Sequence, residues 1–285
     1  VGFGAGEGIT TGTQNTILGG LALDAATTGA SQTALGYNTL GADTKGQNSV
    51  AVGHNALATQ NFTTATNTYN VAVGSQAGLV VSTGIENTLI GGQAGDALQD
   101  ADFNVALGYQ ALTADTLGSR SVALGYKTLF AQNFSTATDS YNSAVGFEAG
   151  SSVSTGNQNT LFGGLAGNTI TTGSQNTIVG YANQTTSTSG TRQIIIGSNI
   201  SGGGNDTVRI GTVSASATLN LDGSDTSWAA ASDERLKTEI TNSPVGLNFI
   251  NALRPVTYKW AAKNAIDKNL PLYDADSSEP CKGTE

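Results

Sequence analysis

Glycine recurs at a fixed spacing along most of this chain. Successive intervals are 17, 17, 17 and 21 residues, and the same set then repeats, so four short units build a super-repeat of 72 residues. Self-similarity at a short period is typical of a solenoid, in which each unit buries its apolar face only against a stacked neighbour. The spacing therefore predicts a repeat architecture. The glycines are Gly2, Gly19, Gly36, Gly53, Gly74, Gly91, Gly108, Gly125, Gly146, Gly163, Gly180 and Gly197.

Each unit joins a short apolar alternation to a glycine and a polar turn. The segments NSVAVG, FNVALG and RSVALG carry Val or Leu at alternate positions, which is the period of a β-strand. A glycine at the strand end permits a corner or a close backbone approach. Turns such as TTGTQN and VSTGIEN separate the strands. We therefore predict an all-β fold, a parallel β-solenoid with coils of 17, 17, 17 and 21 residues.

The longer coils carry their extra residues in QNFTTATNTY and QNFSTATDSY. Phe62 and Tyr69 in the first copy correspond to Phe134 and Tyr141 in the second. These segments are interpreted either as exposed contact loops or as a spacing device whose aromatic rings pack locally. The near identity of the two copies favours the second interpretation.

Composition changes near Ser232. Of 38 glycines, 36 precede this residue, whereas all four prolines follow it. We predict a repetitive shaft at residues 1–213, a neck or linker at 214–231 and a separate small α+β segment at 232–285. A thin rod with small interior residues buries little apolar surface, so we expect several chains to share a core as a homotrimer.

Charge and residue counts exclude several classes of function. The net charge is −9 and no basic cluster occurs, which argues against nucleic acid and anionic membrane as partners. No apolar run approaches the roughly 18 residues of a membrane span, so membrane insertion is not predicted. His54 is the single histidine, at a variable corner position, and Cys281 is the single cysteine. No metal or cofactor is therefore predicted, and a lone GGGNDTV segment is only a weak calcium motif.

The segment from Ala231 to Trp260 has the pattern of a small α+β module. Leu236–Ile240 is strand-like, and Ser243-Pro244 forms a good N-cap and first-turn pair for a helix. Arg254-Pro255 ends that helix, and a second strand is predicted to follow it.

The same segment resembles the C-terminal intramolecular chaperone of phage tailspikes, tail fibres and endosialidases, in which SD-x-R-x-K is followed by ALRPV-x-Y-x-W. The resemblance implies that the segment trimerises the fibre and then cuts itself off with a Ser–Lys dyad. Ser232 would be the nucleophile, Lys237 its general base, and Ala231–Ser232 the bond that is cut. The alternative is that Ser232 caps a turn and Lys237 is solvated. The family domain is longer, so we expect residues 232–285 to be its N-terminal part. The matching residues are Ser232, Asp233, Arg235, Lys237, Ala252, Leu253, Arg254, Pro255, Val256, Tyr258 and Trp260.

The SVAVG-x-x-A units are similar to the head repeats of trimeric adhesins of bacterial surfaces, which form a left-handed parallel β-roll. Those repeats have a shorter period than the 17 and 21 residues seen here. Both a roll of this kind and an intertwined triple β-helix are compatible with the sequence.

Together these patterns predict the shaft of a homotrimeric bacteriophage tail fibre, located on the virion and extracellular. Its expected partners are its own copies, other tail or baseplate proteins, and a host receptor, either a glycan or an outer-membrane component. One alternative is a bacterial trimeric surface adhesin. Another is a glycan-degrading tailspike, which needs paired carboxylates in a groove, whereas the 13 acidic residues before Ser232 are scattered in sequence. Apart from these alternatives, the only reaction that the sequence predicts is one autoproteolytic cut per chain.

Overall fold

The computed structural model describes residues 2–221, 223, 229–230, 261–270 and 273–280. The chain divides into two compact units, residues 1–232 and 233–285. The first unit is a parallel β-solenoid of about twelve turns, which confirms the predicted fold class for this part of the chain. The small α+β fold predicted for 232–260 lies outside the described residues.

The solenoid is built from very short strands, most of them three residues long. In the described part of the chain they are β1 (Thr16–Leu18), β2 (Thr33–Leu35), β3 (Gly46–Gln47), β4 (Val50–Val52), β5 (Thr66–Asn67), β6 (Val71–Val73), β7 (Thr88–Ile90), β8 (Val105–Leu107), β9 (Gly118–Ser119), β10 (Val122–Leu124), β11 (Thr138–Asp139), β12 (Ser143–Val145), β13 (Thr160–Phe162), β14 (Thr177–Tyr181), β15 (Gln193–Ser198), β16 (Thr207–Thr212), β17 (Ala215–Asn220) and β18 (Ala229–Ala230).

One sheet runs the length of the solenoid. Its order is β1-β2-β4-β6-β7-β8-β10-β12-β13-β14-β15-β16-β17-β18, parallel up to β16 and antiparallel for the last two strands. Strands β17 and β18 thus add residues 215–220 and 229–230, which fall in the stretch assigned to the neck, to the same sheet. Successive coils of the same chain pair with each other, so residues 16–212 form a single-chain solenoid and the intertwined alternative is wrong for them.

The strand register equals the repeat length, so equivalent residues stack in columns. Thr16 pairs with Thr33 and Leu18 with Leu35, each 17 residues further on. The glycine that follows each strand forms the corner. At Gly91 φ is +133°, and a Cβ on this residue would lie 2.4 Å from the carbonyl oxygen of Gly108 in the next coil. Only glycine fits a corner packed this closely.

The core of the solenoid is narrow and consists mainly of alanine and leucine. The middle residue of each three-residue strand points inward, and Leu89 and Leu161 are fully buried there, as is Ile178 at the matching position of β14. In the other coils this position is usually alanine, which suits the narrow interior. The core therefore depends on stacking many small contributions along the rod.

A column of buried amide and hydroxyl side chains runs beside the strands. Asn87 donates from Nδ2 to the carbonyl oxygen of Ala101 at 2.7 Å, and its own backbone N–H donates to Asn70 Oδ1 at 2.9 Å. Asn104 repeats the contact, since its N–H donates to Asn87 Oδ1 at 3.0 Å. The column satisfies turn backbone groups that would otherwise be buried without a partner. Its buried members are Gln32, Ser49, Asn70, Asn87, Asn104, Ser121, Asn142, Asn159, Asn176 and Gln193.

The longer coils add two small parallel sheets, β3 with β5 and β9 with β11. In the same coils Phe62 and Phe134 are buried, whereas Tyr69 and Tyr141 are about half exposed. The spacing-device interpretation is therefore correct for the phenylalanines, and the tyrosines lie on the surface.

Each longer coil also contacts a buried carboxylate of the coil that precedes it. The Asp43 side chain is fully buried and accepts hydrogen bonds from Gln60 Nε2 at 2.7 Å, the Gly46 N–H at 3.0 Å and Gln32 Nε2 at 3.3 Å. Burial raises the pKa of Asp43 above its ordinary value, although the bonds from Gln60 and Gly46 lower it part of the way back. The charged form is therefore less favoured in the folded state than in the unfolded chain.

We expect this buried group to make stability fall as pH rises. A raised native pKa contributes stability that is fully present below the unfolded value and is lost as pH passes the native one. Asp43→Asn should therefore remove a decline in unfolding free energy that begins as pH rises through the ordinary carboxyl range, measured by chemical denaturation from acid to neutral pH. Asp96, whose pKa is also raised, is common to both proteins and cancels in the comparison. An exposed control, Asp276→Asn, should keep the wild-type slope, and equal slopes for all three proteins would contradict the prediction.

Candidate functional site

The predicted self-cleavage site cannot be compared with the structure. The catalytic pair and the bond to be cut stay predictions, as do the chaperone-motif positions. These residues, all outside the described ranges, are Ala231, Ser232, Asp233, Arg235, Lys237, Arg254, Pro255 and Trp260.

The described part of the second unit holds a short 3₁₀ turn, Lys263–Ala265. The Lys263 N–H donates to the Glu279 carbonyl at 2.8 Å, and Ala262 forms an antiparallel bridge with Pro280. The side chains of Lys263 and Glu279 approach to 3.6 Å, at an exposed position where an ion pair contributes little. This small turn offers no candidate site of its own.

The outer face of the long sheet carries an unbroken apolar column. The third residue of each three-residue strand points away from the core, and its counterparts in β14, β15 and β16 continue the same register. No member is buried, and Leu18 and Phe162 are each 56% exposed. We call these residues the apolar column; they are Leu18, Leu35, Val52, Val73, Ile90, Leu107, Leu124, Val145, Phe162, Val179, Ile196 and Ile210.

The apolar column is long and is built only from aliphatic and aromatic residues. At a strand spacing of about 4.8 Å, its length is about 50 Å. Soluble monomers rarely expose a continuous apolar surface of this size, and such surfaces mark interaction sites. The sequence signal was available, because the residue directly before each corner glycine is always a large apolar one. Sequence reasoning used that residue only to identify strands.

A second exposed feature is a stack of rings at the corner. Tyr109 and Tyr126 have centroids 5.9 Å apart, and Tyr126 and Phe147 have centroids 5.2 Å apart with nearly parallel planes. In the preceding super-repeat, Tyr37 stacks on His54 at 5.6 Å. The single histidine therefore lies at an exposed corner, in the position that the repeat predicts for it. Because ring faces pack on one another, mainly ring edges are presented to solvent.

A groove in the second super-repeat brings charged residues from several coils together. Its volume is about 430 Å³, within the range of small-ligand sites. Arg120 Nη1 donates to Asp139 Oδ1 at 3.2 Å, and the guanidinium lies 4.8 Å from the centroid of the Phe103 ring. These contacts hold the arginine on both sides. The groove is lined by Asp100, Asp102, Phe103, Ser119, Arg120, Ala137, Thr138 and Asp139.

The other two carboxylates are positioned by the coil next to them. Asp100 Oδ1 accepts from Thr83 Oγ1 at 2.8 Å, and Asp102 Oδ1 accepts from the Ile85 N–H at 2.8 Å. Within the described residues, no protein donor contacts the second oxygen of either Asp100 or Asp102. Each carboxylate thus has one oxygen held by the scaffold and one available to a ligand.

The first super-repeat has the same coils without these charges. Seventy-two residues earlier, Arg120 and Asp139 correspond to Asn48 and Asn67, and Asn48 Nδ2 donates to Asn67 Oδ1 at 2.9 Å. A neutral hydrogen bond therefore takes the place of the ion pair. Of the other groove residues, Asp100, Asp102 and Phe103 correspond to Thr28, Ala30 and Ser31, and Ser119 corresponds to Gln47. An alignment of the two super-repeats would have revealed the site from sequence, because the differences cluster.

The described residues form neither a metal centre nor a membrane-spanning helix. No group of three or more His, Cys, Asp or Glu side chains there is arranged to hold a metal ion. Across the same residues, no helix has the length and hydropathy needed to cross a membrane.

Comparison with known families gives two partial matches. The family described as chaperone of endosialidase matches residues 232–271, and the YadA head domain repeat matches residues 45–66 in two copies. No curated protein and no solved structure matches the chain. Both resemblances drawn from the sequence are thereby confirmed. The two matches support a fibre-like or adhesin-like protein that associates with itself.

Proposed function

We propose that the chain is the shaft of a homotrimeric fibre of a bacteriophage tail, which attaches the virion to its host. The apolar column is the observation that carries this proposal. A long apolar surface on a rod with a narrow core needs a partner along its whole length, and copies of the same chain present a matching column at matching spacing. A closed trimer covers all three columns and leaves none free to recruit further chains.

The order of segments supports a fibre assembled by its own chaperone. The chaperone-type match begins at residue 232, where the first compact unit ends. In this proposal the C-terminal segment aligns three chains and then releases itself by cutting the Ala231–Ser232 bond, with Ser232 as nucleophile and Lys237 as base. Removing the template for assembly makes unfolding effectively irreversible, which gives kinetic stability.

A bacterial trimeric surface adhesin is the second candidate, favoured by the head-repeat match at residues 45–66. The two candidates differ in where the protein is found. An antibody against residues 1–213 should label purified phage particles if the first candidate is correct. Labelling of the bacterial surface in cells free of phage would support the adhesin instead.

We expect charge in the apolar column to dissociate the oligomer. Leu107 pairs with Ile90 on one side and Leu124 on the other, and it is 45% exposed in the single chain. The double substitution Leu107→Glu and Leu124→Glu would place six carboxylates in the trimer interface, each costing several kilocalories per mole to desolvate. Native mass spectrometry should show trimers for the wild type and monomers for the variant.

The matched control is Phe3→Glu, since Phe3 is 86% exposed and lies outside the apolar column. It should remain trimeric. A wild-type monomer would refute the trimer, whereas a trimeric double variant of unchanged stability would show that another surface forms the interface.

A further inference from the structure

The groove of the second super-repeat has the chemistry of a ligand site. Within the described residues, each of Asp100 and Asp102 has one oxygen without a protein donor, and Arg120 uses only Nη1 in its bond to Asp139. The lining therefore presents hydrogen-bond acceptors and donors side by side. A ligand with several hydroxyl groups satisfies both, because each hydroxyl donates one hydrogen bond and accepts others.

The charge of the groove limits the ligand further. Three carboxylates and one guanidinium give a formal charge of −2. An anionic group would be repelled, and its desolvation would have no compensating partner, since the one cation is already paired with Asp139 and with the Phe103 ring. Neutral hydroxyls and amino groups are accepted.

The third super-repeat keeps an Arg–Asp pair, Arg192 with Asp206, at the position of Arg120. The combination of that pair with Asp100, Asp102 and Phe103 occurs in the second super-repeat alone among the described coils. The first super-repeat builds the same coils with Asn48 and Asn67 joined by a hydrogen bond, and with Ala30 and Ser31 in place of Asp102 and Phe103. The coils of the solenoid therefore do not require Asp102, Phe103, Arg120 or Asp139 for folding. Their presence together on one face of the rod calls for a reason other than folding.

We propose that this groove binds a saccharide that carries no negative charge, through Asp100, Asp102, Arg120 and Asp139, with the Phe103 ring contacting apolar C–H groups of the sugar. The inference rests on the proposed attachment function and deepens it, because it assigns the receptor contact to the side of the shaft. It names a neutral or amino-bearing glycan as the receptor class.

The internal duplication supplies the test variant. Asp102→Ala, Phe103→Ser, Arg120→Asn and Asp139→Asn replace four groove residues by those that the first super-repeat already carries in the same coil positions. This graft variant should therefore fold and trimerise like the wild type. The probes are soluble oligosaccharides of three kinds: neutral chains of N-acetylglucosamine or galactose, glucosamine chains, and sialylated chains. Binding is measured on the full chain by saturation-transfer NMR and by calorimetry.

We expect the wild type to bind at least one neutral or amino-bearing oligosaccharide, and the graft variant to bind it at least about tenfold more weakly. Equal affinity, exclusive binding of sialylated chains, or no binding to any probe would overturn the proposal. Release of reducing sugar during the assay would make the groove hydrolytic and would also overturn it. Loss of the trimer in the graft variant would show that the groove is a contact between copies.

The reverse graft provides a gain-of-function control. Thr28→Asp, Ala30→Asp, Ser31→Phe, Gln47→Ser, Asn48→Arg and Asn67→Asp build the groove in the first super-repeat, and calorimetry should then show about two sites per chain where the wild type has one. Failure of this inference is distinguishable from failure of the proposed function. A graft variant that attaches to host cells as well as the wild type, while remaining trimeric, refutes the groove alone. A wild type that neither trimerises nor attaches to cells refutes the function.

Discussion

Replacing Gly91 by alanine should unfold the middle of the solenoid, whereas the same replacement at Gly92 should leave it close to wild type. The two residues are adjacent and equally small, but their surroundings differ. A Cβ on Gly91 would lie 2.4 Å from the carbonyl oxygen of Gly108 and 2.6 Å from its carbonyl carbon. A Cβ on Gly92 would lie 3.4 Å from the Tyr109 ring, close to ordinary contact.

The clash at Gly91 cannot be relieved by a small movement of a side chain. The contacting atoms belong to the backbone of the next coil, so no side chain can rotate away, and φ of +133° is itself strained for alanine. Separating the coils breaks the register of β7 with β8 and opens the core beside it. We expect the free energy of unfolding to fall by at least about 4 kcal/mol, a loss typical of severe backbone or packing defects.

The loss should be local as well as large. Coils in a solenoid stabilise only their neighbours, so Gly91→Ala should divide the rod near that coil. Hydrogen exchange with mass spectrometry should show lost protection around residues 74–125 in Gly91→Ala and normal protection in Gly92→Ala. Unfolding midpoints for the two variants that agree within experimental error would contradict this account of the corner.

The architecture of the shaft could be predicted from sequence because its main determinants are local and repeated. Every coil places a glycine at the same corner, and every strand places a large apolar residue before it, so one unit contains the information for the next. The columns at Leu18–Leu35 and Gly91–Gly108 follow directly once the register equals the repeat length. The pattern of one coil is a weak signal, but its repetition along about twelve turns is sufficient to predict the solenoid.

Other features depended on three-dimensional register. The groove takes Asp102, Arg120 and Asp139 from different coils, and the pairing of β9 with β11 of the adjacent longer coil brings the last two close together. No short sequence motif indicates such a site. The backbone conformation of two core leucines was not predicted from the sequence either. Leu112 and Leu129 adopt positive φ values of 55° and 49°, a conformation that favours glycine. Burial of their side chains in the core offsets that cost.

The other large effect is expected at the C-terminal segment, where Ser232→Ala should abolish cleavage completely. In the proposed reaction, Ser232 Oγ attacks the carbonyl carbon of Ala231 as Lys237 takes its proton. Lys237 then returns that proton to the peptide nitrogen, which leaves as the new amine of Ser232 while its bond to the Ala231 carbonyl carbon breaks. Water then hydrolyses the ester and releases residues 1–231 with a free carboxylate. Without the hydroxyl no ester can form, so mass spectrometry of the full-length protein should show one uncut product for Ser232→Ala and two fragments for the wild type.

Further variants separate a chemical role for Ser232 from a structural one. Lys237→Ala should also remain uncut, whereas Ser243→Ala, which changes another serine of the same segment, should be cut normally. Adding hydroxylamine to the wild type should intercept the ester and leave a hydroxamate on Ala231, a product that a serine with a purely structural role cannot give. Both uncut variants should still trimerise, because alignment of the chains precedes the cut. Cleavage of Ser232→Ala at Ala231 would refute the dyad. A wild-type trimer that stays uncut would show that the segment holds the chains together without cleaving itself.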